Sequence, residues 1–161
     1  MIKIERAMIR DIPTLALLEI RCQDYAIPSE AIKDYIEQPN GYGLLAKISN
    51  KAIGYALHQS LTAESEPNVP FTVITRIGVQ PEFRGLGACK QLMFEIEKQA
   101  WKQSHRCLKI YVPSYRCDDI DDPEYIVPLM EKFHFKISKC LDRMFYHYGK
   151  RWDAYIFERQ L

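Results

Sequence analysis

Apolar residues recur along the chain with two different periods, and together they predict a mixed order of strands and helices. Alternating or β-branched apolar runs predict strands over residues 2–9, 42–48, 52–61, 71–79, 107–112, 135–146 and 152–158. Steps of three and four predict helices over residues 11–25, around 32–36, from 84–89 onward and over 124–133. This order predicts an α/β fold in which helices flank a mixed, mostly antiparallel central sheet.

Polar segments between these elements are expected to form the connections. Residues 62–70 are expected to be a loop that carries Glu64 and Glu66, and residues 113–123 an acidic loop. Residues 49–51 are short enough to form a hairpin turn between two strands. No composition shift, repeat or low-complexity segment divides the chain, so we expect one domain over residues 1–161.

The most informative segment joins the strand at 71–79 to the third helix. It reads Arg84-Gly85-Leu86-Gly87-Ala88-Cys89, and Cys89 begins a stripe predicted to be buried, which continues through Met93, Ile96 and Ala100. Glycines allow consecutive backbone N–H groups to converge, and a helix N-terminus adds partial positive charge. Because Arg84 adds a full charge beside them, the segment predicts an anion-binding site.

Two common phosphate-binding motifs do not match this segment. A P-loop requires Gly-Lys followed by Ser or Thr, whereas here Lys90 is displaced from the glycines and followed by Gln91. A dinucleotide site requires a third glycine and a later strand that ends in an acid, whereas the next strand ends near Pro113. From these residues alone, a tight turn with a capping arginine and no ligand remains an alternative.

Composition and charge exclude several classes of protein. The chain has 161 residues and a net charge of +1, so no overall field favours nucleic acid or an acidic membrane. No apolar run approaches the roughly 20 residues of a membrane span, and charges interrupt the N-terminal segment where a signal peptide would be apolar. Five cysteines without a C-x-x-C pair argue against a disulfide framework or a metal site and favour the cytoplasm.

The glycine segment resembles the acyl-CoA-binding motif of the GNAT superfamily of N-acyltransferases. That motif is Gln or Arg, two residues, Gly, one residue, then Gly or Ala; Cys89 departs from its last position. The preceding residues 76–83 and the opening residues 8–13 are also typical of the family. The predicted order of elements matches the family's fold over nearly the whole chain. The ending, residues 133–135 and 153–156, most resembles enzymes that acetylate protein N-terminal amines.

The resemblance implies a single GNAT acetyltransferase domain that uses acetyl-CoA as co-substrate. It implies that the co-substrate lies along Ile77, Gly78, Val79, Arg84, Gly85, Leu86, Gly87, Ala88 and Cys89. The pyrophosphate would lie at residues 84–89, and a backbone N–H near residues 77–79 would stabilise the oxyanion. The implied acceptor is a primary amine of a small molecule or peptide, with no nucleic acid and no membrane. Monomer and homodimer both remain open.

The family's two usual acid–base groups are absent. Residues 72–76 hold no carboxylate, and Met130 stands where relatives carry a tyrosine that protonates the leaving thiolate. The candidates to replace them are Tyr115, Tyr125 and Glu64, with Glu66 and His58 as further candidates for the base. Each of these side chains also has a purely structural interpretation.

The acceptor is expected to contact Asp118 and Asp119 in the acidic loop, together with Tyr148. Tyr148 belongs to a polar-aromatic cluster with Tyr146 and His147, in a region that family members use to shape the acceptor pocket. The two carboxylates would attract a cationic amine. A second function remains possible from the sequence, since a chain without the usual acid and base would suit a CoA-binding module with little catalysis, acting as a sensor or partner protein.

Overall fold

Strands and helices alternate in a computed structural model that describes residues 1–161. The strands are β1 (Ile2–Arg6), β2 (Gly41–Ile48), β3 (Lys51–Ala63), β4 (Glu66–Val79), β5 (Cys107–Pro113), β6 (Lys136–His147) and β7 (Lys150–Gln160). The helices are α1 (Ile12–Cys22), α2 (Ser29–Glu37), α3 (Ala88–Lys102), α4 (Tyr115–Asp118) and α5 (Val127–Lys132). None of these helices has the length and hydrophobicity needed to cross a membrane.

All seven strands form one sheet in the order β1-β2-β3-β4-β5-β7-β6. Every neighbouring pair is antiparallel except β4 and β5, which are parallel. This parallel pair is short, because only Thr72–Ile74 and Leu108–Ile110 face each other. Thr75 has no opposite residue on β3 and forms a bulge there. Beyond the bulge β4 and β5 separate, which leaves a gap between residues 76–79 and the end of β5.

Two apolar cores lie on opposite faces of the sheet. The larger cluster has 18 buried residues and joins α3 and α5 to the sheet, whereas the smaller has seven and joins α1 and α2. Met93, Ile96 and Ala100 are buried on α3 as predicted, together with Ala88 and Leu92, while Cys89 is half-buried. Met130 of α5 is only 2% exposed and belongs to the larger core.

The predicted loop at residues 62–70 is wrong, because β3 and β4 continue through it as a hairpin. Thr62 faces Pro70 and Ala63 faces Glu66, so the turn consists only of Glu64 and Ser65. Prolines and polar residues interrupt this mostly exposed extension, so no apolar alternation marks the strand.

Several element ends also differ from the prediction. Tyr115–Asp118 forms one helical turn inside the predicted acidic loop, and the last helix begins at Val127, later than the expected residue 124. Pro128 lies in its first turn, where a residue without an N–H is tolerated and favours a helix start. Strand β1 ends before residues 7–9, and α1 ends before Tyr25.

Candidate active site

The N-terminal end of α3 is open. Gly87 caps the helix with a left-handed φ of 92°, and Gly85 has a φ of 84°. No side chain caps this end, and no acid lies in the first turn. The first backbone bond of the helix runs from the Gln91 amide to the Gly87 carbonyl at 3.1 Å, so the preceding amides have no acceptor in the helix. A Cβ at Gly85 or Gly87 would meet no atom within 4 Å, so a ligand can approach this backbone closely.

The side chains around this turn divide into anchors and exposed groups. Arg84 donates from Nε to the Val79 carbonyl at 3.1 Å, which fixes the exposed guanidinium beside the glycines. Leu86 is 58% exposed, whereas Ala88 is buried in the larger core. Cys89 is half-buried, and this burial raises the pKa of its thiol. The turn therefore offers backbone N–H groups and one arginine to an anion, while Ala88 and Cys89 hold the helix in place.

The gap between β4 and β5 exposes backbone amides of the central strand. The Ile77 carbonyl accepts from Gln23 Nε2 and the Val79 carbonyl accepts from Arg84 Nε, both at 3.1 Å, so neither is used by β3. The Gln80 amide, in contrast, bonds back to the carbonyl of a β3 residue at 2.8 Å. Because a strand residue directs its N–H and C=O to the same side, the Ile77 and Val79 amides point into the gap.

Gly78, between those two residues, allows α1 to approach the sheet. An added Cβ would lie 2.7 Å from the Cys22 Cβ and 3.0 Å from the Tyr55 ring. A glycine is therefore needed here for close packing rather than for a positive φ, which this residue does not have.

A buried carboxylate fixes the segment after α1 against the central strand. Glu19 is fully buried, accepts from the Tyr55 hydroxyl, and accepts from the Ile27 amide at 2.9 Å. Arg76 of β4 places Nε 3.3 Å from the carboxylate, as an ion pair without hydrogen-bond geometry, and donates from another nitrogen to the Tyr25 carbonyl. These contacts hold residues 23–28 at the edge of the gap.

An aromatic cluster lies at this edge and joins three remote segments. Tyr25 stacks on His147 of the β6–β7 hairpin with ring centroids 4.0 Å apart and planes at 5°. The Tyr115 hydroxyl lies 2.9 Å from His147 Nδ1, and Tyr115 also contacts Tyr148 and Trp152 edge to face. We call Tyr25, Tyr115, His147, Tyr148 and Trp152 the aromatic cluster.

Two carboxylates accompany the aromatic cluster. The Tyr148 hydroxyl donates to Asp24 Oδ2 at 2.6 Å. Burial raises the pKa of Glu124, and the neighbouring Asp24 adds to that rise while Arg116 opposes it. Burial, followed by the charge of Glu124, raises the pKa of Tyr115 to about 12.

Burial and nearby cations keep the histidine of the cluster neutral at neutral pH. Burial lowers the pKa of His147, Arg76 and Arg116 lower it further, and Asp24 opposes them. The neutral imidazole has one nitrogen lone pair that can accept a proton.

The other predicted acid–base candidates make no contact with the aromatic cluster. Tyr125 is half-buried in the turn before α5, and its side chain makes no hydrogen bond. Glu64 is exposed in the β3–β4 turn, and the strand from Glu66 to Ile77 spans about 35 Å at the usual rise per residue. Glu64 and Glu66 therefore lie far from the gap.

His58 also lies away from the gap. It faces Ile74 across β3 and β4 and stacks on Tyr42 with centroids 5.2 Å apart. Burial, together with the charges of Arg6 and His105, lowers its pKa to about 4. Because Ile74 precedes the end of β4 at Val79 by five residues, His58 lies roughly 17 Å from the end of the strand that leads to the glycine turn.

The predicted acceptor carboxylates each accept a hydrogen bond within the protein. Asp118 accepts from the Tyr155 hydroxyl at 2.9 Å, and Asp119 accepts from the Asp121 amide at 3.0 Å. Tyr148, which was also predicted to contact the acceptor, lies in the aromatic cluster beside Tyr115. Sequence reasoning missed Asp24 and Tyr25 as site residues because it placed them in the helix predicted over residues 11–25, whereas α1 ends at Cys22.

Comparison with known proteins gives one family and a set of similar folds. A family model described as "Acetyltransferase (GNAT) family" matches residues 9–125. No curated protein matches the chain significantly. The fold is similar to Arabidopsis thaliana NAA60 in complex with a bisubstrate analogue, with a TM-score of 0.81, 15% identity, and 100% and 99% of the two chains covered.

Two further structures are similar over nearly their whole length. The ribosomal-protein-S18-alanine N-acetyltransferase from Escherichia coli has a TM-score of 0.78 and 15% identity, covering 99% of this chain and 94% of that chain. A GNAT family acetyltransferase from Elizabethkingia anophelis with acetyl-CoA bound has a TM-score of 0.71 and 20% identity, covering 99% and 98%. At these identities the structures establish the fold, and the predicted fold class is confirmed.

Proposed function

Because the chain belongs to the GNAT acetyltransferase family, we propose that it transfers an acetyl group from acetyl-CoA to a primary amine of a small molecule or peptide. The observation that carries the proposal is that an uncapped helix end adjoins a gap in the sheet, at the segment that resembles the family's acyl-CoA motif. The family resemblance inferred from the sequence is confirmed by the match to residues 9–125.

The glycine turn fits the pyrophosphate of acetyl-CoA. The amides of Gly85, Gly87 and Ala88 would donate to its oxygens, because no side chain occupies the space above the two glycines. Arg84 would add a charge-assisted contact from its terminal nitrogens, since its Nε is already bonded to the Val79 carbonyl. Leu86 and Cys89 would contribute through the backbone.

The gap fits the reacting end of the co-substrate. The amides of Ile77 and Val79 point into it and would stabilise negative charge that develops on the carbonyl oxygen. Tyr115 lies just beyond the end of β5 and would protonate the departing thiolate, which the apolar and buried Met130 cannot do. Under this proposal Tyr115 is the substitute acid.

The acceptor would approach along the aromatic cluster. Asp24 and Glu124 supply negative charge there for an ammonium group, and Asp118 and Asp119 supply more at the surface of α4 and its following turn. A peptide acceptor is supported by similarity to Arabidopsis thaliana Naa50, which was solved with the bisubstrate analogue CoA-Ac-MVNAL. The proposal also includes small amines, because the aromatic cluster consists of side chains rather than of a row of backbone groups that would pair with a peptide.

A second candidate function is a CoA-binding module with little catalysis. Two features of the chain favour it, since residues 72–76 hold no carboxylate and Met130 replaces the usual acid. It shares the glycine turn with the first candidate, so only turnover separates the two.

Release of free CoA thiol, measured with acetyl-CoA and a panel of peptides and small amines, tests the proposal. We expect release that depends on the amine, with an acetylated product of the expected mass. Tight binding of acetyl-CoA without release for any acceptor would favour the module instead. Absence of acetyl-CoA binding would contradict both candidates.

A further inference from the structure

We propose that Tyr115 and His147 act as one proton-transfer pair, which takes a proton from the acceptor nitrogen and delivers one to the leaving sulfur. The inference rests on the proposed function and assigns a catalytic part to a histidine of the β6–β7 hairpin. Sequence reasoning placed His147 only in the acceptor region.

The pair is preorganised by its surroundings. The Tyr115 hydroxyl and His147 Nδ1 are 2.9 Å apart, and Tyr115 is only 8% exposed. Tyr25 stacks flat on the imidazole, and Phe145 lies 5.4 Å from it on the same hairpin. Trp152 Nε1 donates to the His147 carbonyl at 2.8 Å, which fixes the backbone at this position. A ring held in this way cannot rotate freely, so the bond to Tyr115 is maintained.

The hydrogen-bond pattern defines which nitrogen can act as a base. Nδ1 is directed at Tyr115, and Nε2 has no partner within the protein. In the tautomer with a proton on Nδ1, the imidazole donates to the Tyr115 oxygen and leaves the Nε2 lone pair free. The Tyr115 O–H is then also free to donate elsewhere, so the pair has one acceptor end and one donor end.

The charged groups around the imidazole support its neutral form. Arg76 from β4 and Arg116 from α4 oppose a second positive charge, and Asp24 from the segment after α1 partly offsets them. The uncharged rings of Tyr25 and Tyr115 complete the surroundings. Arg76 also places the pair beside the gap, because the next residue on β4 is Ile77, whose amide points into that gap.

The pair and solvent together can account for every proton that moves in the reaction. An alkylammonium acceptor loses two protons, and we assign the first to solvent before attack. The nitrogen lone pair forms the N–C bond, and the C–S bond breaks with its electron pair on sulfur. His147 Nε2 takes the second proton, Nδ1 passes its proton to the Tyr115 oxygen, and the Tyr115 hydroxyl proton goes to sulfur. The products are the amide and the CoA thiol, with one proton released to solvent.

Substitutions that keep the rings but remove the proton carriers test the pair. His147→Phe and Tyr115→Phe should each lower kcat by about 10²–10⁴-fold while the affinity for acetyl-CoA stays within about two-fold. The double variant should be no more than a few-fold slower than either single variant, because each substitution alone already blocks the same proton-transfer path. The acidic limb of the pH profile should disappear in His147→Phe, and added imidazole should partly restore a His147→Ala variant, in which the space of the ring is empty. His134→Asn is the matched control, because it removes an exposed imidazole at a left-handed position that Asn tolerates.

A second readout does not depend on turnover. The His147 imidazole, followed by nuclear magnetic resonance in the free protein, should change its titration midpoint when Tyr115→Phe removes the bonded hydroxyl. An unchanged midpoint, a kcat of His147→Phe within two-fold of the unmodified protein, or an effect confined to the acceptor KM would each overturn the pair. If the unmodified protein acetylates no amine, the proposed function fails instead, which keeps the two failures distinct.

Discussion

Replacing Gly87 by alanine separates the ligand-binding part of the glycine turn from its structural part. Gly87 caps α3 at a φ of 92°, and a Cβ there would meet no atom within 4 Å. In the free protein the only cost is therefore that of holding a non-glycine residue in the left-handed region, which is about 1–2 kcal/mol. Urea unfolding should show a loss of this size with an unchanged slope.

The substitution should also lower the affinity for acetyl-CoA, independently of its effect on stability. The added methyl group would stand over the amides that we expect to receive the pyrophosphate of acetyl-CoA. Loss of one charge-assisted hydrogen bond corresponds to about 1.5–3 kcal/mol, or roughly a ten- to hundred-fold higher Kd. Calorimetric titration with acetyl-CoA measures this change.

Gly149→Ala is the matched control for this experiment. Gly149 has a φ of 76° in the β6–β7 hairpin, and a Cβ there would also meet nothing within 4 Å. It should show a similar loss of stability and an unchanged Kd for acetyl-CoA. An unchanged Kd for Gly87→Ala, or an equal rise in both variants, would refute the assignment of the turn as the pyrophosphate site.

Three further predictions test a buried ion pair, a buried histidine and the proposed acceptor carboxylates. Glu19→Gln leaves the partly buried Arg76 without its counter-charge and should reduce the free energy of unfolding by about 3 kcal/mol, whereas Glu95→Gln in a surface pair should change it by under about 0.5 kcal/mol. Equal effects in urea unfolding would contradict this. Burial lowers the pKa of His58 to about 4, so only the unfolded state gains this proton as the pH falls from ~6.5 toward that value. The free energy of unfolding should therefore fall by up to about 1.4 kcal/mol per pH unit over this range. His58→Phe should flatten this dependence of stability on pH. Reversing Asp118 and Asp119 to lysine should raise the KM of cationic acceptors and flatten its salt dependence, and an equal effect on neutral acceptors would count against their role.

Local sequence predicted those parts of the fold that local interactions determine. The strand, glycine turn and helix around residues 71–104 are encoded by a continuous apolar run, two glycines and a stripe at helical spacing. The hairpin at residues 62–70 was missed because polar residues and the prolines Pro67 and Pro70 interrupt the apolar alternation that marks a strand. The late start of α5 depends on Pro128, whose missing N–H suits a first turn better than a helix interior.

The candidate site depends on contacts that sequence spacing does not encode. Tyr115 was predicted from its place after β5, but its partner His147, and Tyr25 stacked on that histidine, come from segments far away in the chain. Glu19 could have been found, because it shares a helix face with Leu15 and follows Leu18 directly. A carboxylate within that apolar stripe indicates a buried partner.

A crystal structure of the protein with bound CoA tests the central claim most directly. We expect the pyrophosphate within hydrogen-bond distance of the Gly85, Gly87 and Ala88 amides. The sulfur should lie in the gap between β4 and β5, near the Val79 amide and the Tyr115 hydroxyl. A pyrophosphate bound away from the end of α3, or a sulfur outside that gap, would contradict the proposed acetyltransferase site.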